Sequence, residues 1–160
     1  MTDPVMIDVS LLDAVSAEAA SSPRRRRNRN FHCADGDASH RLLNAIEPGS
    51  YVAPHRHLDS QKDETFVVLR GRFGLMMFDD SGAITHRVLL TAGGDVLGAT
   101  IPHGTFHTIF ALDPGSVFLE AKAGPYLPLI AAERAPWAPA ENDPAAAAYL
   151  RRLERLLIDG

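Results

Sequence analysis

The sequence predicts a mainly β protein, a single jelly-roll barrel with a short helix at each end. Between residues 41 and 123, stretches rich in Val, Ile, Phe, Leu and Thr alternate with Gly, Pro and Asp at spacings typical of antiparallel strands. No helical periodicity interrupts them. A chain of 160 residues, 46% apolar and 22% charged, suits one domain with a packed core and excludes a multidomain machine.

Taken in order, Ser10 is expected to cap a helix whose apolar residues Leu11, Leu12, Val15 and Ala19 recur at helical spacing, with Pro23 beyond its end. Strands are expected over 41–47, 50–56, 64–70, 72–78, 84–90, 95–101, 105–112 and 116–123. Tight turns fall at Glu47-Pro48-Gly49 and Asp113-Pro114-Gly115, and a hairpin loop at Asp79-Asp80-Ser81-Gly82. About eight strands with no helix between them close most simply into a jelly roll. After Gly124 the prolines Pro125, Pro128, Pro136 and Pro139 enforce an extended strap, with Trp137 as its anchor on the barrel. Asp143 as cap, Pro144 as first residue and the stripe Tyr149, Leu150, Leu153, Leu156 and Leu157 predict a final amphipathic helix. The expected organisation is a helix and basic arm over 1–30, a barrel over 31–125, and a strap and helix over 126–160.

Composition narrows the function. No apolar run approaches the roughly 20 residues of a membrane span, and the first residues lack a signal-peptide pattern, so a cytoplasmic protein without a membrane partner is expected. The net charge of −4 argues against general nucleic-acid binding despite the cluster Arg24 to Arg27 plus Arg29. A single cysteine, Cys33, can form no internal disulfide and is read as a small packing group. Any metal must then be held by His, Asp or Glu, and the chain has seven histidines.

His55 and His57 alternate across Arg56, which in a strand puts both imidazoles on one face together with Tyr51. Glu64 opens the next strand in parity with the apolar Phe66 and Val68, so its carboxylate points inward and needs a partner. His107 lies on a later strand whose parity mates Thr105, Ile109 and Ala111 suit an interior. If the strands close into one barrel, His55, His57, Glu64 and His107 converge. Three imidazole nitrogens and one oxygen suit one divalent Fe, Mn, Ni, Co or Zn ion, with positions left open for water and substrate. His103 is expected at the pocket rim or exposed.

Other polar residues are candidates around that centre. Lys62 and Tyr51 are expected to act as acid or base. In an extended 24–32 segment, Arg24, Arg26, Asn28, Asn30 and His32 share one face, and this face is expected to line the barrel mouth and bind an anionic ligand. Lys122 shares a face with Glu120; the two are read as pairing, with Lys122 also reaching substrate. Residues 66–69 and 106–112 are apolar on both faces, so terminal helices and a homodimer are expected to cover the barrel's outside.

The residues also resemble a known family. Gly49-x5-His55-x-His57-x6-Glu64-x6-Gly71 resembles the first cupin motif, and Pro102-x-Gly104-x2-His107 the second. The gap between His57 and Glu64 is two or three residues longer than usual, and Ala111 stands where the second motif usually has Asn. Arg24-x-Arg26-x3-Asn30-x-His32, Arg41-Leu42-Leu43-Asn44, Lys62-x-Glu64, Glu120-x-Lys122-x-Gly124-Pro125-Tyr126 and Ala135-Pro136-Trp137 resemble the WbuC-type cupin fold metalloproteins along nearly the whole chain. That resemblance implies a cupin barrel, a bound metal and a sugar or nucleotide-sugar ligand in bacterial surface-polysaccharide metabolism. The expected activity is that of an isomerase- or epimerase-like enzyme with the metal as Lewis acid. Two alternatives stand beside it, a non-haem Fe(II) oxygenase and a non-catalytic saccharide binder or sensor.

Overall fold

Two antiparallel sheets face one another in the computed structural model, which describes residues 3–158. The leader reading at residues 1–2, and the outer ends of the two flanking segments at 1–2 and 159–160, lie outside the described residues. One sheet has five strands in the order β1 (Arg26–Asn30), β2 (Ser39–Ile46), β8 (Ser116–Ala123), β3 (Glu64–Arg70) and β6 (Gly98–Ile101). The other has three, in the order β5 (Ile84–Thr91), β4 (Arg72–Phe78) and β7 (Phe106–Ala111). β3 passes to β4 through Gly71, whose φ of 75° is a left-handed conformation that side chains disfavour. A Cβ there would also run into Ser116.

Alternation along these strands builds the core. Phe66, Val68, Phe73, Leu75, Ile109 and Phe118 are buried between the sheets. The opposite faces are covered by the helices. α1 (Val9–Ser21) lays Leu12, Val15 and Ala19 on Leu43, Ala45 and Val117 of the five-stranded sheet. α2 (Ala146–Ile158) lays Ala146, Leu150 and Leu153 against Met76, Phe78 and Phe110 of the three-stranded sheet. Gly74 makes this second docking possible, since a Cβ on β4 would meet both Phe110 and Leu157. Trp137 holds the strap by stacking within 4.7 Å of Phe78 and 5.9 Å of Phe106. None of the described helices is long and apolar enough to cross a membrane.

Several expected boundaries need correction. Residues 50–56 form no strand: apart from an isolated bridge of His55 to His107 and to Arg134, they run as irregular chain. Pro54 has no N–H for a ladder, and its carbonyl accepts from Ala135 of the strap instead. The strand expected over 95–101 shortens to Gly98–Ile101, because Val96 and Leu97 give their carbonyls to Thr91 and Val68 in a turn. α1 is capped by Asp8, whose carboxylate accepts from the Leu11 N–H at 2.9 Å, so Ser10 lies inside the helix. α2 starts at Ala146; Asp143 and Pro144 form a turn before it, with Asp143 accepting from the N–H groups of Ala145 and Ala146. Cys33 is exposed, not packed.

Candidate metal centre

His55 and His57 come from the irregular segment, Glu64 from the first position of β3, and His107 from β7. Mutual backbone hydrogen bonds at 2.9–3.0 Å tie His55 to His107 and bring the two imidazole centroids to 4.7 Å. The turn of residues 59–62, closed by Lys62 N–H to the Asp59 carbonyl, takes up the extra residues between His57 and Glu64. Ligand atoms of His55, His57 and Glu64 therefore all lie within 4.8 Å of one another. His107 adjoins them, its Nε2 2.9 Å from Glu64 Oε2, while His57 Nε2 is 3.1 Å from Oε1.

Hydrogen bonding decides which nitrogens are free. His55 Nδ1 lies 3.1 Å from the Ala53 carbonyl and His107 Nδ1 2.9 Å from that of Thr105. A carbonyl only accepts, so both Nδ1 atoms carry protons and both Nε2 atoms present lone pairs. Burial, with the neighbouring His107 ring, pushes His55 from its ordinary 6.5 down to about 3, which keeps it neutral. The contacts of Glu64 with His57 and His107 are not aligned as hydrogen bonds, and His57 Nε2 and Glu64 Oε2 are buried without a hydrogen-bond partner. Groups this close need positive charge between them: protons on the imidazoles, which keep the carboxylate ionised, or a shared cation, which turns the same approach into coordination. The residues thus fit a divalent transition metal, with borderline nitrogen donors and one anionic oxygen.

Behind the centre lies a buried charge network. Lys122 on β8 stands opposite Glu64 on β3, its ammonium 2.8 Å from Glu64 Oε1 and 2.6 Å from Glu120 Oε1, and Asn44 donates to Glu120 Oε2 at 2.7 Å. Two carboxylates share one ammonium, and their environments drive them apart. Burial opposes the charge on both. For Glu64 the contacts with His107 and His57 and the charge of Lys122 outweigh it and hold the carboxyl well below the usual range. For Glu120 burial prevails, and the negative Glu64 adds to it, so its affinity for a proton is raised. Burial would lower Lys122, but its two carboxylates raise it above the ordinary lysine value.

A cavity of about 580 Å³ opens onto this cluster and is lined by Lys62, Lys122, Arg24, Arg26 and Asn28 among others. Of the residues expected around the centre, the structure brings Lys62, Lys122, Arg24, Arg26 and Asn28 to this cavity and leaves Tyr51, Asn30 and His32 elsewhere. Tyr51 packs edge-on against Tyr149 in the core under α2 and donates its hydroxyl to the Pro139 carbonyl, so it is no acid or base for this cavity. Asn30 sits exposed at the far end of β1, and His32 is drawn away to stack on His40 at 3.9 Å. His103 pairs with Asp63 outside the cavity. Sequence reasoning missed His40, whose buried Nε2 lacks a partner at the cavity wall, and Glu141, which pairs with Arg24 and Arg26.

A jelly roll of two facing sheets with a histidine and glutamate cluster at the cavity floor defines a cupin fold. Solved structures sharing it include a cupin superfamily protein from Desulfitobacterium hafniense (12% identity, TM-score 0.54, covering 75% of this chain and 93% of that one). A conserved protein of unknown function from Streptococcus pyogenes matches at 10% identity and TM-score 0.53 over 79% of this chain and 93% of that one. KdgF from Halomonas sp. matches at 19% identity and TM-score 0.50 over 65% and 83%. Among curated proteins none matches. Residues 7–90 match the family described as Domain of unknown function (DUF6016), and the chain belongs to that family.

Proposed function

We propose that this is a metal-dependent cupin enzyme of the WbuC type, acting on an anionic sugar or nucleotide-sugar in bacterial surface-polysaccharide metabolism. The observation that carries the reading is the approach of His57 Nε2 and His107 Nε2 to the two Glu64 oxygens, at 3.1 and 2.9 Å, beside the His55 ring at the floor of a cationic cavity. In this reading His55, His57, Glu64 and His107 hold one Fe, Mn, Ni, Co or Zn ion. Such an ion, when bound, supplies Lewis acidity toward a carbonyl or a pair of hydroxyls on the sugar. Lys122 fixes the orientation of Glu64 through its 2.8 Å contact. Glu120, whose proton affinity burial raises, stands at the cavity wall and can take a proton from a substrate hydroxyl. The ammonium of Lys62, buried with no ion pair among the described residues, orients the negative end of the substrate together with Arg24 and Arg26.

In the same reading segment 31–125, with β1 added at its sheet edge, is the catalytic barrel and the flanking segments shape its mouth. We place the protein in the cytoplasm as a homodimer, with the exposed Val67, Leu89, Val96 and Leu97 as the apolar surface available to a second copy. The test is elemental analysis of the protein purified without added metal. About one transition-metal ion per chain is expected, falling to background in His57→Ala and Glu64→Ala; a folded protein devoid of metal overturns the reading. Turnover of candidate sugars by the metal-replete protein then tests the reaction, and oxygen uptake by the iron-loaded form would move it to an oxygenase.

A further inference from the structure

The guanidinium groups of Arg24 and Arg26 converge on a single carboxylate of the chain itself. Arg24 makes a two-pronged contact with Glu141, Nε to Oε1 at 2.6 Å and Nη2 to Oε2 at 2.8 Å, and Arg26 Nη2 reaches Oε2 at 2.7 Å. Arg26 is fixed from behind by the Tyr51 carbonyl, which accepts from Nη1 at 3.0 Å, and its side chain is only 14% exposed. Among the described residues no other carboxylate pairs with either arginine. Two positive charges thus meet one negative charge, and one positive charge is left unmatched beside the largely buried Arg26. A phosphate dianion would match both and offer three oxygens to the same donors.

The location adds a second argument. Glu141 lines a cavity of about 390 Å³ beside the main one, and the two cavities share Arg24, Arg26, Val52, His55, Tyr126 and Leu129 as their common wall. The arginines therefore stand on the border between the cavity of the metal centre and a smaller side chamber. A ligand with a phosphoryl group between two bulky ends would place that group at the border, with one end in each chamber.

We propose that Arg24 and Arg26 form a phosphate subsite and that Glu141 fills it in the absence of ligand, as a built-in competitor that the phosphoryl group displaces. This deepens the reading given under Proposed function and rests on it for the sugar end of the ligand. It makes the ligand a glycosyl phosphate or nucleotide-sugar, not a neutral sugar. It also makes the apparent affinity depend on Glu141, because the subsite is competent only in the fraction of molecules where Glu141 has let go.

The test is calorimetric titration of the full chain with inorganic phosphate, with acetate in parallel, in wild type, Glu141→Gln and Glu141→Gln/Arg24→Ala. Glu141→Gln should bind phosphate at least about tenfold tighter than wild type, and Arg24→Ala, at an exposed side chain, should abolish the gain. Equal phosphate affinity in wild type and Glu141→Gln, or a gain that survives Arg24→Ala, overturns the proposal. A gain for acetate as large as for phosphate overturns the phosphate assignment. Glu141→Ala serves in place of Glu141→Gln should the latter not fold. Metal content is measured on the same samples, so protein that holds no metal yet shows the phosphate pattern overturns the enzyme reading and leaves this one standing.

Discussion

Lys122 and Glu64 face each other in register across β8 and β3, and the ammonium of one lies 2.8 Å from the carboxylate of the other. A residue of the candidate metal centre is thereby tied to a cation that is itself held by Glu120 at 2.6 Å. Lys122→Met leaves two buried carboxylates without their shared counter-charge. The expected cost is about 3 kcal/mol in urea denaturation of the metal-free protein, and adding Glu120→Gln should recover part of it. An unchanged urea midpoint in Lys122→Met would show that the network contributes nothing to the fold.

For the metal centre, His57→Ala and Glu64→Gln should each weaken binding of added cobalt(II) by at least about a hundredfold, measured by competition with a chelator. His103→Ala should leave it unchanged, since His103 is engaged with Asp63 outside the cavity. Loss of cobalt binding in His103→Ala would place the ion elsewhere.

Acid sensitivity of the metal-free protein follows from His55. Its folded value is about 3 against 6.5 ordinarily, so between those values the unfolded chain binds the extra proton. Stability is therefore intact above 6.5 and is lost as pH falls toward 3. From pH 7 to pH 5 the loss from this group is at most about 2 kcal/mol, and His55→Asn should lose less over the same interval. Parallel urea curves for both proteins across that window would contradict the burial of a neutral imidazole.

On the outer face of the small sheet, Gly74→Ala inserts a Cβ against Phe110 and Leu157. Destabilisation of about 1–3 kcal/mol is expected from overpacking. It should be relieved by Leu157→Ala, which removes one of the two obstructing side chains. Absence of any such coupling in the double variant would mean that α2 docks differently.

How much of this is legible in the sequence depends on the kind of signal. Strands 64–70, 72–78 and 116–123 are read to the residue, because Gly71, Asp79 and Pro114-Gly115 punctuate runs rich in apolar and β-branched residues. The proximity of His55, His57, Glu64 and His107 is anticipated from spacing and inward parity. Tyr51 is misplaced for a physical reason: counting faces by twos presumes a strand, and 50–56 has no ladder to enforce the alternation, so Tyr51 turns into the core under α2. His32 is misplaced because β1 ends at Asn30, and beyond it the ring turns to stack on His40. Glu141 carries no local signal at all. Its importance arises from Arg24, 117 residues away in sequence, and from neighbouring Arg26, contacts that only the closed fold creates.

The position of α2 has a consequence for the order in which the molecule matures. Every strand precedes it in the chain, so the ribosome delivers both sheets before the helix that covers Met76, Phe78 and Phe110. Until that helix arrives, an apolar sheet face stands bare on a nascent chain. Glu141 lies just ahead of α2, so the docking that hides this face also delivers the carboxylate to Arg24 and Arg26. The arginine pair is thus occupied only as the chain end closes over this sheet face, last in the order of synthesis.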